Sequence, residues 1–300
     1  MTDTTSAPTV DPVDPADVHR PVHVRVEGAG VAVLLLHGIT GSPVVWRAIA
    51  RELSGTPAGS GVSWSAPLLP GHGTHWRDLN RRTYADWYAA AHTELESLAA
   101  SHDRVVVAGL SMGGALALDL AARTDLVSSV VLVNPAVHVD DPLAFALPLL
   151  SRLVPSVPAI GGDIARPGAL EYAYDRTPVA AVASLAAGQR ILRRHLWRVT
   201  APVSLCLSTT DHVVAPRSAR RIAASVGGPF EVVPLRRSLH VATVDHDDHL
   251  VAEVLRRHLL AAATGAAPAL PTVPAALRVR THRRTSARPM DPDPANEVPT

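Results

Sequence analysis

Apolar residues in this chain fall into two kinds of pattern. Val31–Leu36 (VAVLLL) and Arg104–Ala108 (RVVVA) are nearly unbroken apolar runs without alternation, as expected of strands buried on both faces of a parallel sheet. Between such runs, apolar residues recur at helical spacing. The order predicted along the chain begins with a strand at Val24–Val26 and another at Val31–Leu36. A helix follows from Pro43 to about Leu53, with Ser42 as N-cap, Pro43 as N1, and Val45, Ile49 and Leu53 along one face. Ser63–Leu69 is the next strand. Thr83 and Asp86 then form a capping-box-like start to a helix ending near Ala100. Strand Arg104–Ala108, helix Gly113–Ala122 and strand Ser129–Val133 follow.

The rhythm then breaks. Residues 137–176 hold no clear strand and are rich in proline and large aliphatics, among them Leu143, Phe145, Leu147, Leu149, Leu150 and Leu153. Asp141-Pro142 is placed to start a short helix that Pro148 kinks. Thr177-Pro178 opens a longer helix, with Val179, Val182, Leu185, Leu192 and Leu196 near helical spacing. Alternation resumes with strand Val203–Leu207, helix Ser218–Ser225, strand Glu231–Leu235 and helix Asp245–Leu260. That last helix has acids in its first turn and Arg256, Arg257 and His258 toward its end, matching its dipole. The pattern predicts an α/β protein with a mostly parallel, doubly wound sheet. The irregular block is a small cap inserted over the C-terminal ends of the strands, where such sheets place their sites.

Composition sets the limits. At 300 residues and 47% hydrophobic, the chain can bury one sizeable core. Residues 1–22 carry four prolines and read as a loose tail, and residues 264–300 carry seven and lose periodicity. The expected division is thus a disordered tail over 1–22, one domain over 23–263 and a second disordered tail over 264–300. A net charge of +1 gives no electrostatic case for nucleic acid or an anionic membrane, and the Arg278–Arg288 cluster reads as part of a solvated tail. All 28 basic residues are Arg, a bias to which no function is attached. The single cysteine, Cys206, excludes an internal disulfide and a Cys-based zinc site. The N-terminus lacks an apolar leader and no run approaches a membrane span, so the expected compartment is the cytoplasm.

The chemistry centres on Gly109-Leu110-Ser111-Met112-Gly113. It matches G-x-S-x-G in the context that motif needs: strand, tight turn, helix. The turn places the Ser111 hydroxyl at a helix N-terminus, where backbone N–H groups favour developing negative charge. A serine nucleophile needs a histidine to take its proton and an acid to orient that histidine, here expected in the order Ser, acid, His on loops after strands. Asp211, after Val203–Leu207, and His240, after Glu231–Leu235, meet that requirement. His246, His249 and His258 fall in the predicted last helix, and His212 adjoins the acid. Asp245 and Asp247 lie close to His240 and compete for the acid's role, with a helix cap as their alternative. The two oxyanion N–H donors are expected from Met112 and from Ile39, in the turn after Val31–Leu36. His37 reads equally well as structural or functional.

These residues carry a resemblance. The segments VLLLHGITGSP (33–43), PGHGT (70–74), GLSMGG (109–114), TTDHVVAP (209–216) and LHVATVDHD (239–247) are similar, in order and at natural spacing, to the α/β-hydrolase superfamily, and within it to bacterial carboxylesterases and monoacylglycerol lipases. The resemblance covers roughly residues 30–260 and leaves both tails uncovered. It extends into AIGGDIARPGALEYAYDRTP (159–178), similar to the lid segment of bacterial monoacylglycerol lipases, and implies substrate contacts to a glycerol head at Ile160 and Glu171. Read by itself, Glu171 is either that polyol acceptor or a surface glutamate on a helix. The expected activity is serine-dependent hydrolysis of monoacylglycerols or similar esters, needing no metal or cofactor. The expected partner is a small acylglycerol-like ester, with no nucleic acid and at most transient contact with a lipid surface. A thioesterase or acyltransferase on the same triad, and a binding protein with little turnover, remain as alternatives.

Overall fold

The computed structural model describes residues 18–270, apart from 57, 60, 139–150, 152, 160 and 161. Nine strands are formed among them: β1 (Val22–Val24), β2 (Val31–Leu36), β3 (Val62–Ala66), β4 (Arg104–Leu110), β5 (Val127–Val133), β6 (Ser156–Pro158), β7 (Arg176–Pro178), β8 (Val203–Ser208) and β9 (Phe230–Leu235). Seven of these make one sheet in the order β1-β3-β2-β4-β5-β8-β9. Within it β1 runs antiparallel to β3 and every other pair is parallel. The helices are α1 (Arg47–Ser54), α2 (Trp76–Leu79), α3 (Tyr84–Ala99), α4 (Met112–Arg123), α5 (Val179–His195), α6 (Arg217–Ala223) and α7 (Asp248–Ala263).

The strands read as continuous apolar runs because both faces are covered. Leu34, Leu36, Val105 and Val107 join the core under α3, α4 and α5, whereas Val33, Leu35, Val106 and Ala108 join the core under α1 and α7. Period-two alternation survives in space but not in the sequence. Cys206 lies fully buried on the second face, where burial pushes its thiol up to about 12, so packing accounts for it.

Local signals are realised with informative exceptions. Thr83 and Asp86 make the full capping box of α3, with the Asp86 carboxylate accepting from the Thr83 N–H at 2.8 Å. Pro43 starts a 3-10 turn, Pro43–Trp46, before α1, and the Ser42 side chain donates to the Val18 carbonyl instead of capping. The first strand lies at Val22–Val24, two residues earlier than expected, and Val18 is buried ahead of it. The irregular block does contain a strand, since β6 lies inside it and pairs antiparallel with β7 at its C-terminal edge. Its apolar stretch at 143–150 lies outside the described residues, as does Arg278–Arg288, and Leu153 is exposed. The last helix starts at Asp248 and runs to Ala263, so Arg256, Arg257 and His258 sit well before its end. Over residues 264–270 contact with the domain continues, where Pro268 is buried and the Arg257 guanidinium donates to the Ala269 carbonyl at 2.7 Å. Among the described residues, no helix is long and apolar enough to cross a membrane.

His258 is fully buried near the N-terminal ends of β5, β8 and β9. Its Nδ1 lies 2.8 Å from the Ser129 Oγ and its Nε2 lies 2.7 Å from the Ser204 Oγ. Ser204 donates its own proton to Glu231, which Arg257 also holds. Ser204 therefore accepts from Nε2–H, and Nδ1 accepts from Ser129, which fits a neutral ring. Burial, helped by the Arg257 charge, depresses its pKa to about 3. Above the unfolded value of about 6.5 both states are neutral and stability is unaffected; below it the unfolded chain takes a proton that the native state refuses. Stability should fall by about 1.4 kcal/mol per pH unit from this group alone, or about 2 kcal/mol by pH 5. Urea titrations of wild type and His258→Gln between pH 7.5 and 5 should give a shallower pH slope for the variant; equal slopes would refute the assignment.

Candidate active site

The strained centre of the site is Ser111. Its backbone sits at φ 55°, ψ −116°, in the positive-φ region that L-residues avoid, between the end of β4 and the start of α4. The turn is pinned on every side. Ser111 N–H donates to the Val133 carbonyl at 3.0 Å, and its carbonyl accepts from Gly114, Ala115 and Ala136. Glycine is required where the helix crosses the strands: a Cβ on Gly109 would lie 2.2 Å from the Gly113 carbonyl oxygen, and one on Gly113 would lie 2.1 Å from that of Leu36. The flanking glycines of the motif thus permit the crossing, and the crossing holds the serine. Ser111 is 8% exposed.

His240 and Asp211 meet as a pair. His240 Nδ1 lies 2.9 Å from Asp211 Oδ2, with both side chains almost wholly buried. The other Asp211 oxygen accepts from the Val213 and Val214 N–H groups, each at 2.8 Å, which fixes the carboxylate's rotation. Asp245 and Asp247 are committed elsewhere. Asp247 accepts from the N–H groups of Arg237 and Ser238. Asp245 accepts from those of Leu239, His246, Ala165 and Arg166 at 2.7–2.9 Å. Burial pushes the Asp245 carboxyl up, but these four bonds outweigh it and leave the group below the usual carboxylate range. This use of Asp245 is also why the last helix begins three residues later than expected, leaving His246 outside it.

Asn134 ties the loops together. It directly follows β5, has a positive φ of 43°, and is fully buried. Its amide nitrogen lies 2.8 Å from the His240 carbonyl and 3.2 Å from that of Leu239, while its oxygen accepts from Ser208 N–H at 2.8 Å. One side chain therefore links the ends of β5 and β8 to the histidine loop. Since Ser111 is bonded to Val133, its neighbour, the three loops converge at the C-terminal edge of the sheet. Nothing in the local pattern singles out Asn134, because its partners are 74 to 106 residues away.

The loop after β2 is shaped by two buried histidines. His37 Nδ1 lies 2.9 Å from the Gly38 carbonyl while its Nε2 accepts from Leu69 N–H at 3.2 Å. His72, from the PGHGT segment, places Nε2 2.6 Å from the Ile39 carbonyl. Burial lowers both pKa values, His37's well below normal, with the adjacent His72 adding to the fall, and the His37 ring, whose Nε2 accepts, is neutral. They draw the carbonyls of Gly38 and Ile39 into the protein, and His37 is structural. Gly38 packs against the serine, since a Cβ on it would lie 3.6 Å from the Ser111 Cβ. Ile39 thus sits one residue from that contact, and Met112 directly follows Ser111 as the first residue of α4.

The described part of the cap lies across these loops. Tyr174 N–H donates to the Thr40 carbonyl at 3.1 Å, and its hydroxyl donates to the Gly71 carbonyl at 2.8 Å. Glu171 is half-buried beside the same turn: a Cβ on Gly41 would lie 3.4 Å from its Oε1, and its Oε2 accepts from Gly162 N–H at 3.2 Å. Burial raises its carboxyl, against the Gly162 N–H and the nearby His240. It belongs to no helix among the described elements, so it is not a surface glutamate on a helix. Ile160 lies outside the described residues. Among the described residues, no group of three or more His, Cys, Asp or Glu side chains is placed to hold a metal ion.

Comparison with known proteins agrees with this geometry. The model described as the alpha/beta hydrolase family matches residues 33–263. The chain is 35% identical over 228 residues to the thermostable monoacylglycerol lipase of Bacillus sp. (strain H-257), a match covering 76% of this chain and 89% of that enzyme. A solved structure from work on LipS and LipT, two metagenome-derived lipolytic enzymes, has 31% identity and a TM-score of 0.75, covering 81% of this chain and 98% of the other. The crystal structure of the Paleococcus ferrophilus monoacylglycerol lipase shares the fold at 17% identity, with a TM-score of 0.66 over 81% of this chain and 98% of that one. By its sheet, its strained serine turn and the extent of these matches, the chain belongs to the alpha/beta hydrolase family.

Proposed function

We propose that this protein is a carboxylic-ester hydrolase of the monoacylglycerol lipase type, acting on monoacylglycerols and similar small esters through an acyl-enzyme. The observation that carries the reading is the buried His240–Asp211 pair at 2.9 Å, on loops joined by Asn134 to the strained turn that holds Ser111. Similarity to the Bacillus lipase supports the substrate class.

In this reading Asp211 binds Nδ1–H of His240 and leaves Nε2 as the basic nitrogen. Nε2 takes the Ser111 proton as Oγ attacks the ester carbonyl. The N–H groups of Ile39 and Met112 receive the negative charge that develops on the carbonyl oxygen. His240 then returns the proton to the leaving alcohol. Water, deprotonated by the same nitrogen, hydrolyses the acyl-enzyme and restores Ser111. In the same reading the Glu171 carboxylate, beside the Gly41 turn, accepts hydrogen bonds from the glycerol hydroxyls of the leaving group.

A fluorophosphonate probe should label wild-type protein once, at Ser111, and leave Ser111→Ala unmodified in intact-mass spectra; equal labelling of both would remove the nucleophile. Asp211→Asn should remain folded but lose activity on the order of 10⁴-fold, because the amide stabilises the wrong imidazole tautomer. Asp245→Asn, which removes a carboxylate oxygen that accepts from backbone N–H groups rather than from the histidine, should lose mainly thermal stability. Kinetics showing the larger activity loss in Asp245→Asn would exchange their roles. For Glu171, a charge-assisted hydrogen bond is worth about 1.5–3 kcal/mol, a factor of roughly 10 to 100 in kcat/KM. Glu171→Ala should lose that much on a monoacylglycerol and little on a p-nitrophenyl ester of equal chain length, and a parallel loss on both would argue against a glycerol contact.

A further inference from the structure

The carboxylate of Asp163, in the cap, is 9% exposed and contacts both catalytic loops at once. Its Oδ2 accepts from the backbone N–H of His240 at 3.0 Å and from that of His212 at 3.2 Å. Its Oδ1 pairs with His212 Nδ1 at 2.7 Å. Its own carbonyl accepts from Val241 N–H at 3.2 Å. His212 is the residue directly after Asp211. A single residue of the cap therefore grips the base at its main chain and the acid through its neighbour, without touching either reacting side chain. The bridge is supported next door, where Asp245 accepts from Ala165 and Arg166 of the cap and from Leu239 of the histidine loop, and Arg166 pairs with Asp248 at 2.9 Å.

We infer that Asp163 is a positioning residue for ester hydrolysis, a cap carboxylate that sets the spacing between the Asp211 and His240 loops, with His212 as its arm on the acid loop. The inference rests on the triad proposed above. Several features point beyond simple stabilisation of the cap. The carboxylate spends three hydrogen bonds on His240, the base, and on His212, the residue after the acid, and none on cap side chains among the described residues. Burial pushes the Asp163 carboxyl up, yet the hydrogen bonds from the His212 ring, the His212 N–H and the His240 N–H more than offset it, so it stays ionised in this setting. His212 is held above its ordinary pKa by that bond and by the Asp163 and Asp211 charges. Glu171 also feels both Asp163 and His240. A pair whose 2.9 Å contact must be in place before the proton moves is sensitive to small errors in loop spacing, and misplacement of about 1 Å is sufficient for large rate losses.

The test compares Asp163→Asn and Asp163→Ala on a p-nitrophenyl ester, with a thermal melt and the fluorophosphonate labelling rate of Ser111 for each protein. Asn keeps an acceptor oxygen for the His240 and His212 N–H groups; Ala keeps none. Asp163→Ala should lower kcat on the order of 10- to 100-fold with KM unchanged, and should slow Ser111 labelling in step. Asp163→Asn should restore both to near wild type, which a role as a mere charge would not allow. The inference is overturned if Asp163→Ala keeps wild-type kcat, if its loss lies in KM alone, or if Asn is as impaired as Ala. Should Asp163→Ala fail to fold, His212→Ala, at a side chain 61% exposed, removes only the arm on the acid loop. It should reduce kcat severalfold at constant KM, and wild-type kcat would overturn the inference. Failure of the wild-type protein to label at Ser111 would instead refute the proposed nucleophile, a separate result.

Discussion

Everything at this site depends on one backbone constraint, the positive φ at Ser111. A non-glycine residue in that region costs about 1–3 kcal/mol and persists only where its surroundings over-determine it. Here the surroundings are strand β5, whose Val133 carbonyl takes the serine N–H, and a helix α4 so close to β2 that Gly113 meets the Leu36 carbonyl. The strain is thus held by the core of the sheet, and relaxing it would mean separating elements whose apolar faces are fully buried. In return the hydroxyl is presented at the start of α4, the end of a helix whose dipole favours negative charge.

Around that fixed point, buried polar side chains position backbone. His37 and His72 are buried and set ring nitrogens against the Gly38 and Ile39 carbonyls. Asn134 draws three loop ends together. Asp163, Asp245 and Asp247 collect N–H groups from the histidine loop and from segments packed on it. Each such carboxylate satisfies donors that would otherwise be buried without partners, at a cost of about 1–3 kcal/mol apiece. The polar network is therefore what keeps loops of different strands in register, while the apolar core keeps the strands themselves in place.

The cap fits this division. In its described part Leu153, Val157 and Leu170 are exposed while Ile164, Tyr172 and Tyr174 pack against the core, and hydrogen bonds at Asp163, Ala165, Arg166 and Tyr174 join it to the domain. Those bonds all end on the loops that carry Ile39, Asp211 or His240, or on the PGHGT segment beneath them. Bound to these loops more than to the core, this segment shares their position, so its placement and the spacing of the Asp211 and His240 loops are mechanically linked.

The α/β class, the strand order along the chain and the serine turn were legible in the sequence, because burial leaves a local signature. Unbroken runs such as VAVLLL mark strands covered on both faces, and Thr83 with Asp86 marks a helix start through contacts three residues apart. The choice of Asp211 and His240 as candidates was legible for the same reason, since both follow predicted strands. Only the tertiary structure decided which carboxylate meets His240, because Asp211, Asp245 and Asp247 are chemically alike and differ in which N–H groups surround them. It also decided that Asn134 and Asp163 join the loops, that His37 is structural and that the last helix starts at Asp248. Those outcomes depend on hydrogen bonds between residues far apart in sequence. Periodicity records how deeply a residue is buried and carries no record of which distant loop it will face.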